Sequence, residues 1–559
     1  MLGACSSVSL LLVVIAFLYL AHRLSPKSKM CGRTCSSAPL PPGPSPWPVV
    51  GNLPEMMLHK PAFRWIHLVM KEMGTDIACF RLGGIHVVPV TCPEIAREVL
   101  TRQDANFVSR PLSFASRAIS YGYKDAVLSP FGDQWKKMRR VLTSEIVCPS
   151  RHRWFHDKRA DEADNFTRYV YALTSGATGS SSTSGANVDV RHASRHYCGN
   201  VIRRLVFGKR YFGEPQPDGG PGQLEVEHID ATFTSLGLLF SFCVSDYLPW
   251  LLGLDLDGHE KKVRQANATI SRLHDMVIDE RWRQRKGGER REEPQDQDFL
   301  DVLITVNDGD GNPLLTIEEV KAVCKVGKPS TWYRECTYIV VKDNNSINDI
   351  TLAAVDNPSN AVEWALAEMV NSPELLDKAM EEIDRVVGRE RLVQESDIPQ
   401  LNYAKACIRE AFRLHPVASF NLPHVATTDT TVIGYRVPKG SHVILSRTGL
   451  GRNPTIWDEP LRFRPERHMG DDIDVTLTES RLRFISFSTG RRGCMAASLG
   501  TAMSVMLFGR LLQGFTWTKP AGVSVIHLSE SKHNLFMAKP LVLHAEPRLP
   551  MHLYPPRAC

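Results

Sequence analysis

The chain has 559 residues, of which 43% are hydrophobic, so it contains enough apolar material for one large globular body or two. Lysine and arginine total 67 against 61 aspartates and glutamates, which leaves a formal net charge of +6. A balance this mild, without a run of basic residues, argues against a nucleic-acid partner.

The N-terminal 21 residues carry no charged side chain and include a dense apolar run, VSLLLVVIAFLYLA. About 20 such residues span a bilayer as a helix. The cations Arg23, Lys27 and Lys29 follow this run, whereas a cleaved signal peptide normally has them before it. We therefore expect a single-pass signal anchor at residues 1–21, with the rest of the chain in the cytosol. The 13 cysteines would then lie mostly in a reducing compartment, where disulfides are rare.

Residues 22–54 are basic and then rich in proline, with five prolines between Pro41 and Pro48. Proline fixes φ and removes backbone donors, so this stretch predicts a semi-rigid hinge between membrane and globular body. Two later stretches, 174–187 and 285–298, have the composition of loops. Helical patterns resume on both sides of each loop, so residues 55–559 are predicted to form one domain.

Two helices are predicted in the C-terminal half. In NSPELLDKAMEEIDRVVG, Ser372 is a candidate N-cap and Gly388 ends the helix. In NYAKACIREAFRLHP, the helix stops before Pro416 and places Glu410 and Arg413 on one face. Taken alone, such a pair is an ordinary surface ion pair that contributes a few tenths of a kcal/mol.

Two further elements change that interpretation, because they follow the Glu410–Arg413 pair in a fixed order. The first is the tripeptide Pro465-Glu466-Arg467, and the second is the string FSTGRRGC with Phe487, Gly490, Arg492 and Cys494. Together the three resemble the E-x-x-R, PER and F-x-x-G-x-R-x-C elements of the cytochromes P-450. The resemblance implies a mainly α fold, with a large helical domain and a small β-rich domain behind the N-terminal anchor.

The resemblance also implies a haem b cofactor whose iron has the Cys494 thiolate as its axial ligand. A thiolate ligand pushes electron density toward the iron and favours cleavage of the O–O bond. Phe487 and Gly490 would shape the loop at the ring, with Gly490 letting the backbone pass close to it. The implied groups on the propionate side are Trp135, Arg139, His424 and Arg492. The implied buried charge network consists of Glu410, Arg413 and Arg467.

The stretch AAVDNPSNAVEWALAEM would be the helix above the haem. Most monooxygenases of the family have acid-Thr-Thr where this chain has Asp356, Asn357 and Pro358. Pro358 removes a backbone N–H and is expected to bend the helix, or else the Asn-Pro pair only marks a helix break. DNPSNAVEW is, however, similar to the plant amino-acid N-monooxygenases that make aldoximes, and this assigns catalytic roles to Asp356 and Asn357.

The implied reaction is two successive N-hydroxylations of L-tyrosine, followed by loss of water and carbon dioxide to give an (E)-aldoxime, the first step of cyanogenic glucoside synthesis. Electrons would come from NADPH through a flavoprotein reductase in the endoplasmic reticulum membrane, and later enzymes of the pathway are further candidate partners. Ala354, Ser419 and Phe420 are the candidate substrate contacts. The open alternatives are phenylalanine or another amino acid, a haem-thiolate isomerase or dehydratase that needs no reductase, and an inactive relative.

Residues 326–348, VGKPSTWYRECTYIVVKDNNSIN, have no counterpart in this family and interrupt a helical pattern with Gly-Lys-Pro-Ser. A tolerated loop is one explanation, because the entropy cost of loop closure grows slowly with length. A retained intron translated in a gene model is the other explanation, and the one that we favour. The alternative of an inactive relative rests on this segment.

Overall fold

The computed structural model describes residues 38–175, 185–286, 297–324, 349–470 and 474–554. The predicted anchor at 1–21, the hinge as far as residue 37 and the segment 326–348 lie outside the described residues. Within them, one stretch, Gln223–Tyr247, is long and apolar enough to cross a membrane, and about half of it is buried inside the protein.

The described residues are mainly helical. In the first half the helices are α1 (Leu53–Leu58), α2 (Ala62–Glu72), α3 (Pro93–Arg97), α4 (Phe114–Ile119), α5 (Asp133–Val141), α6 (Pro149–Trp154), α7 (His156–Ser175), α8 (Val190–Phe207), α9 (Gln223–Leu239), α10 (Val244–Tyr247) and α11 (His259–Lys286). In the second half they are α12 (Phe299–Thr305), α13 (Ile317–Cys324), α14 (Asp349–Asn371), α15 (Pro373–Val386), α16 (Asn402–Leu414), α17 (Arg447–Gly451) and α18 (Ala497–Gly514).

The strands form three small sheets in the described parts of the chain. They are β1 (Phe80–Leu82), β2 (Ile85–Val90), β3 (Ala186–Asp189), β4 (His424–Val425), β5 (Thr430–Val432), β6 (Tyr435–Val437), β7 (His442–Leu445), β8 (Phe515–Thr518) and β9 (Val542–Pro547). The strand orders are β1-β2-β7-β4, β3-β9-β8 and β5-β6. Strands β2 and β7 run parallel, with Val87 opposite His442 and Val90 opposite Leu445. The chain after β7 therefore leaves the sheet at the carboxyl end of β2.

The largest core forms where α14 packs against α8, α16 and α18. Helix α14 is buried on nearly every side along its C-terminal half, where Trp364 is fully buried and its ring stacks on His415 at 3.9 Å. Helix α18 is similarly enclosed, since Met503 to Gly514 are all buried. Close packing makes these two helices rigid, so they fix the position of the flanking residues, including Cys494 just before α18.

The two predicted C-terminal helices form as α15 and α16. Ser372 occupies the N-cap position of α15, but its side chain makes no capping hydrogen bond. Gly388 follows the helix at φ +78°, a conformation that favours glycine. Helix α16 ends at Leu414, two residues before Pro416.

The interpretation of Asn-Pro as a helix break is wrong, because α14 continues through Pro358 from Asp349 to Asn371. Pro358 has no N–H to donate to the Ala354 carbonyl. At the next residue, the Ser359 hydroxyl donates to the Val355 carbonyl at 2.7 Å, and packing on several sides holds the helix together. Proline is tolerated here because tertiary contacts outweigh one lost helical hydrogen bond.

The loop predicted at 174–187 is shorter at both ends in the structure than the sequence suggested. Helix α7 extends to Ser175, and Ala186 already belongs to β3. Strand β3 forms because Ala186 pairs with Ala545 on β9. The sequence near residue 186 gives no sign of a partner so distant in the chain.

Candidate active site

Cys494 lies in a short loop between a 3₁₀ turn, Gly490–Arg492, and the first residue of α18. Its backbone N–H donates to the Phe487 carbonyl at 2.8 Å, which closes the loop. The residue is exposed, yet the surrounding protein still raises the pKa of the Cys494 thiol by desolvation. The Ala496 backbone N–H and the guanidinium of Arg139 act in the opposite direction and favour the thiolate.

Gly490 adopts φ +72°, and a Cβ added to it would lie 2.2 Å from the Leu100 carbonyl oxygen. Leu100 belongs to a π-helical turn at Glu98–Arg102 that packs against the cysteine loop. The sequence interpretation explained this glycine by the approach of the backbone to the haem ring. The structure adds a second reason, since glycine is required by the contact with Leu100 and by the left-handed conformation, and the approach to the ring stays a prediction.

Gly490→Ala is expected to lower both thermal stability and the fraction of protein that retains haem. The left-handed conformation costs a side chain about 1–2 kcal/mol, and the contact with Leu100 adds about 1–3 kcal/mol of overpacking. Gly522→Ala is the matched control, because Gly522 has φ +80° but open space around its Cβ position. Melting curves and haem content measure both variants, and equal losses would show that the Leu100 contact is unimportant.

The predicted propionate side is assembled around the Trp135 ring. The Trp135 Nε1 is buried and has no hydrogen-bond partner among the residues described. The Arg492 guanidinium lies 4.4 Å from the Trp135 ring centroid and the Arg139 guanidinium 5.8 Å. Arg139 also donates to the Gly493 carbonyl at 3.1 Å, directly before Cys494. An unpaired indole donor and two cations beside a thiol fit a porphyrin with anionic propionates and a thiolate-bound iron.

Arg492 also has a structural role. Its Nε donates to the Val108 carbonyl at 2.6 Å and its Nη2 to the Ser129 carbonyl at 2.7 Å. These bonds hold the cysteine loop against the segment before α5. A propionate contact from Arg492 stays a prediction.

His424 is buried at the start of β4, and its Nδ1 lies 2.8 Å from the Phe107 carbonyl. Burial lowers the pKa of His424 well below its ordinary value, and the Arg110 charge lowers it further. The ring is therefore neutral and donates through Nδ1. Its predicted contact with a propionate would have to come from Nε2 and is likewise a prediction.

The structure brings Glu410, Arg413 and Arg467 together at the C-terminal end of α16. Arg413 donates to both carboxylate oxygens of Glu410 at 2.8 and 2.7 Å, and Arg467 Nε donates at 3.0 Å. His468 Nε2 lies 2.8 Å from the same carboxylate, a fourth member that the motifs did not reveal. Burial raises the pKa of the Glu410 carboxyl, but the Arg413 and His468 hydrogen bonds overcome this and lower it to about 2.

A cavity of about 320 Å³ lies beside α14. Asp356, Ser419 and Phe420 are among its lining residues, whereas Ala354 packs against the large core. The walls are otherwise mostly apolar or aromatic and include Met56, Phe63, Leu236, Phe240, Phe242, Leu535 and Phe536. The structure thus places two of the three predicted substrate residues at one cavity, together with one of the two predicted catalytic residues.

Asp356 is one of two acidic residues that line this cavity, the other being Asp257, and it is only 4% exposed. Its Oδ1 has no hydrogen-bond partner in the described structure. Burial raises the pKa of Asp356 to about 7, against the charges of Arg195 and Arg447, which favour the carboxylate. A carboxyl group with this pKa holds a proton in about half of the molecules at neutral pH and can exchange it.

Arg447 is the residue that sequence reasoning missed. It begins α17 directly after the buried strand β7, and its charge acts on both Asp356 and Cys494. The available signal was an arginine that immediately follows the apolar run HVIL and one serine. Because strand β7 is buried, a cation two residues after its end lies near the interior.

Comparison with known proteins agrees with the motifs. The family model for "Cytochrome P450" matches residues 41–326 and 344–544. The chain belongs to the cytochrome P450 family. It is 69% identical to the tyrosine N-monooxygenase of Sorghum bicolor, over 99% of this chain and 96% of that protein. It is 55% identical to tryptophan N-monooxygenase 1 of Arabidopsis thaliana, over 92% of this chain and 89% of that protein.

A further relative is the phenylalanine N-monooxygenase of Arabidopsis thaliana, which is 49% identical over 98% of this chain and 99% of that protein. The cytochrome P450 interpretation of the three sequence motifs is thus confirmed. The chain is a haem-thiolate monooxygenase, and its helical body with small sheets fits that family. Among these relatives the substrate differs, so family membership leaves the amino acid open.

Proposed function

We propose that the chain converts L-tyrosine to (E)-4-hydroxyphenylacetaldehyde oxime. The observation that carries the proposal is the 69% identity, over nearly the whole of both chains, to a protein named tyrosine N-monooxygenase. Phenylalanine is the main alternative substrate, because relatives at 49% to 55% identity are named for phenylalanine, tryptophan and valine. The cavity supports an aromatic substrate, since several of its wall residues are aromatic.

The chemistry balances with two molecules of dioxygen and two of NADPH. In each hydroxylation one oxygen atom enters an N–H bond of the substrate and the other leaves as water, with two electrons supplied by NADPH. The resulting N,N-dihydroxytyrosine loses carbon dioxide and water to give the oxime. Haem, when bound at Cys494, supplies the activation of dioxygen. The chain itself must hold the amino acid, exclude bulk water and deliver protons.

Asp356 is suited to the delivery of protons. Its carboxyl group borders the cavity, and its unpaired Oδ1 is free to accept or donate a hydrogen bond there. Its pKa of about 7 allows it to give up a proton and recover it within one turnover at neutral pH. We assign the proton-transfer role to Asp356 and a neighbouring polar role to Asn357.

Asn357→Thr is expected to lower the yield of oxime while NADPH consumption stays the same or rises. Threonine restores the hydroxyl that most of the family has, but its branched side chain replaces an amide next to Asp356 in a buried helix. The measurement is the ratio of oxime formed to NADPH consumed, with haem content determined for each preparation. An unchanged or improved ratio would contradict a role for the Asn357 amide.

Electron supply requires a partner, and we propose an NADPH-dependent flavoprotein reductase in the endoplasmic reticulum membrane. Lys136 and Arg491 have 57% and 51% of their side chains exposed, and each also pairs with one carboxylate, of Asp133 and Asp104 respectively. Exposed cations steer an acidic partner toward the surface that carries them. The apolar N-terminal residues 1–21 support a membrane location, with the catalytic domain in the cytosol.

We also propose that residues 326–348 are an insertion relative to the family. The family match stops at residue 326 and resumes at residue 344, which supports this assignment. The flanking described helices, α13 and α14, end and begin at Cys324 and Asp349. If the insertion is foreign to the fold, its removal should leave the flanking helices able to form as before.

Recombinant microsomes test the function. The full chain and a variant that lacks residues 326–348 are each supplied with NADPH, reductase and one amino acid at a time, and oximes are measured. We expect tyrosine to be the best substrate, with equal or higher turnover and haem content in the deletion variant. Oxime from phenylalanine alone would reassign the substrate, and product formation without NADPH would favour an isomerase or dehydratase. Activity in the deletion variant only would identify the full chain as disabled.

A further inference from the structure

Arg447 is a half-buried arginine at the start of α17. Its Nε is buried without a hydrogen bond, and its guanidinium forms no ion pair or hydrogen bond with any described residue. The contrast with Arg413 is clear, because Arg413 donates to Glu410 and also to the Gly451 and Pro460 carbonyls. A partly buried guanidinium that has no hydrogen-bonded carboxylate among the described residues is costly, so it calls for a functional explanation.

The backbone places Arg447 next to the wall of the cavity. Its N–H donates to the Ser419 carbonyl at 2.8 Å, and Ser446 bridges to Phe420. Asn421 Oδ1 accepts a hydrogen bond from the Leu445 N–H at 2.9 Å, which also holds the segment at 419–421 against the segment at 445–447. Ser419 and Phe420 both line the cavity, so the start of α17 is held against it by several hydrogen bonds.

Two unpaired polar atoms belong to the lining of this cavity. The Ser419 Oγ and the Asp356 Oδ1 are both buried without hydrogen-bond partners among described residues. Burial lowers the pKa of Arg447 to about 10, while the Asp356 charge acts to raise it, so the guanidinium is a cation at neutral pH. With the Arg447 cation beside the cavity wall, this hydroxyl and this carboxyl group complement a small zwitterion better than an apolar molecule.

We propose that Arg447 binds the α-carboxylate of the amino-acid substrate, with the Ser419 hydroxyl as a second donor to it. The guanidinium offers paired N–H donors that match a carboxylate. The inference rests on the proposed function, from which it takes the class of substrate. The relatives are named for tyrosine, tryptophan, valine and phenylalanine. These amino acids differ in their side chains, but all of them have an α-carboxylate.

The test compares ligands that differ in one group. Isothermal titration of the haem-loaded protein measures the affinities of L-tyrosine, of 3-(4-hydroxyphenyl)propionate, which lacks the amine, and of tyramine, which lacks the carboxylate. Arg447→Met is expected to weaken binding of the first two by about 10- to 100-fold, the range for loss of a charged hydrogen bond. Tyramine binding should change less than about threefold. Arg447→Lys should recover part of the lost affinity.

Arg195→Met is the matched control. Arg195 also acts on the charge of Asp356, but its guanidinium stacks 3.6 Å over the Phe233 ring. If Arg447 worked only through the ionisation of Asp356, both methionine variants would show the same loss for both carboxylate ligands. That result would overturn the proposal, as would an equal loss for tyramine.

A haem propionate is the competing anion for Arg447. If the arginine binds a propionate, Arg447→Met and Arg447→Lys will lose haem while the loaded fraction keeps its ratio of tyrosine to tyramine affinity, and the proposal fails. If Arg447→Met does not load haem, the ligand comparison is made on Arg447→Lys. Should the wild type bind another amino acid in place of tyrosine, the substrate assignment fails, and the carboxylate test is repeated with that amino acid and its decarboxylated amine.

Discussion

Replacement of Cys494 by serine abolishes oxime formation and the red-shifted Soret band of the reduced, carbon monoxide-bound protein. The physical reason is that a serine hydroxyl has too high a pKa to supply the anionic, electron-rich ligand that a thiolate provides. The loop itself should survive, because it is closed by backbone hydrogen bonds and not by the sulfur. The Cys494 N–H bond to Phe487 and the Arg139 bond to the Gly493 carbonyl are both independent of the side chain at residue 494.

Cys148→Ser is the matched control, since Cys148 is a partly exposed thiol whose Sγ lies 3.2 Å from the Ser150 hydroxyl. This variant should keep the band, the haem content and the activity. Absorption spectra of the dithionite-reduced samples with carbon monoxide make the comparison. A Cys494→Ser protein that retained the thiolate band would show that another cysteine is the ligand.

The parts of the structure that were predictable from sequence depend on local signals. Helices α15 and α16 follow from their apolar spacing and from Gly388 and Pro416, which end helical patterns for reasons confined to a few residues. The Glu410–Arg413 pair, three residues apart on one helix, was equally visible. Their assembly with Arg467 was not a consequence of spacing and came from the family resemblance.

The remaining features depend on contacts between distant segments. β3 exists because Ala186 pairs with Ala545, and His468 joins the charge network because a 3₁₀ turn brings it onto Glu410. Gly490 is required by the Leu100 carbonyl, which lies nearly four hundred residues earlier in the chain. No local pattern encodes such pairs, so their prediction needs the fold or an alignment.

Arg447 shows the same limit for function. Its sequence neighbourhood, an arginine after the apolar run HVIL and one serine, is only a weak signal that the side chain lies near the interior. Only the fold shows that the start of α17 meets Ser419 and that the guanidinium has no protein partner among described residues. The buried Nε without a described partner distinguishes Arg447 from a surface arginine, and the sequence does not reveal such burial at one position.

Glu410→Gln is expected to destabilise the folded protein by about 3–5 kcal/mol, the cost of leaving buried charges uncompensated. Glu410 is completely buried and accepts hydrogen bonds from the Arg413 and Arg467 side chains and from the Arg464 backbone N–H at 2.9 Å. Glutamine keeps the shape but removes the negative charge that offsets two guanidiniums. Its amide group also turns an N–H donor toward one of them. We expect the melting temperature to fall, and haem retention to fall with it.

The matched control is Glu459→Gln, which removes the same charge from an exposed ion pair. Glu459 contacts Arg462 at 3.1 Å with 47% of its side chain exposed, and such pairs contribute about 0.2–1 kcal/mol. The pH dependence gives an independent measurement. Because the folded-state pKa of Glu410 is lowered from 4.5 to about 2, its stabilising contribution is complete above pH 4.5 and is lost as the pH falls toward about 2. The difference in unfolding free energy between the wild type and Glu410→Gln should therefore shrink across that interval. A difference that stays constant from pH 5 to pH 2 would mean that the Glu410 carboxylate does not stabilise the fold by its charge.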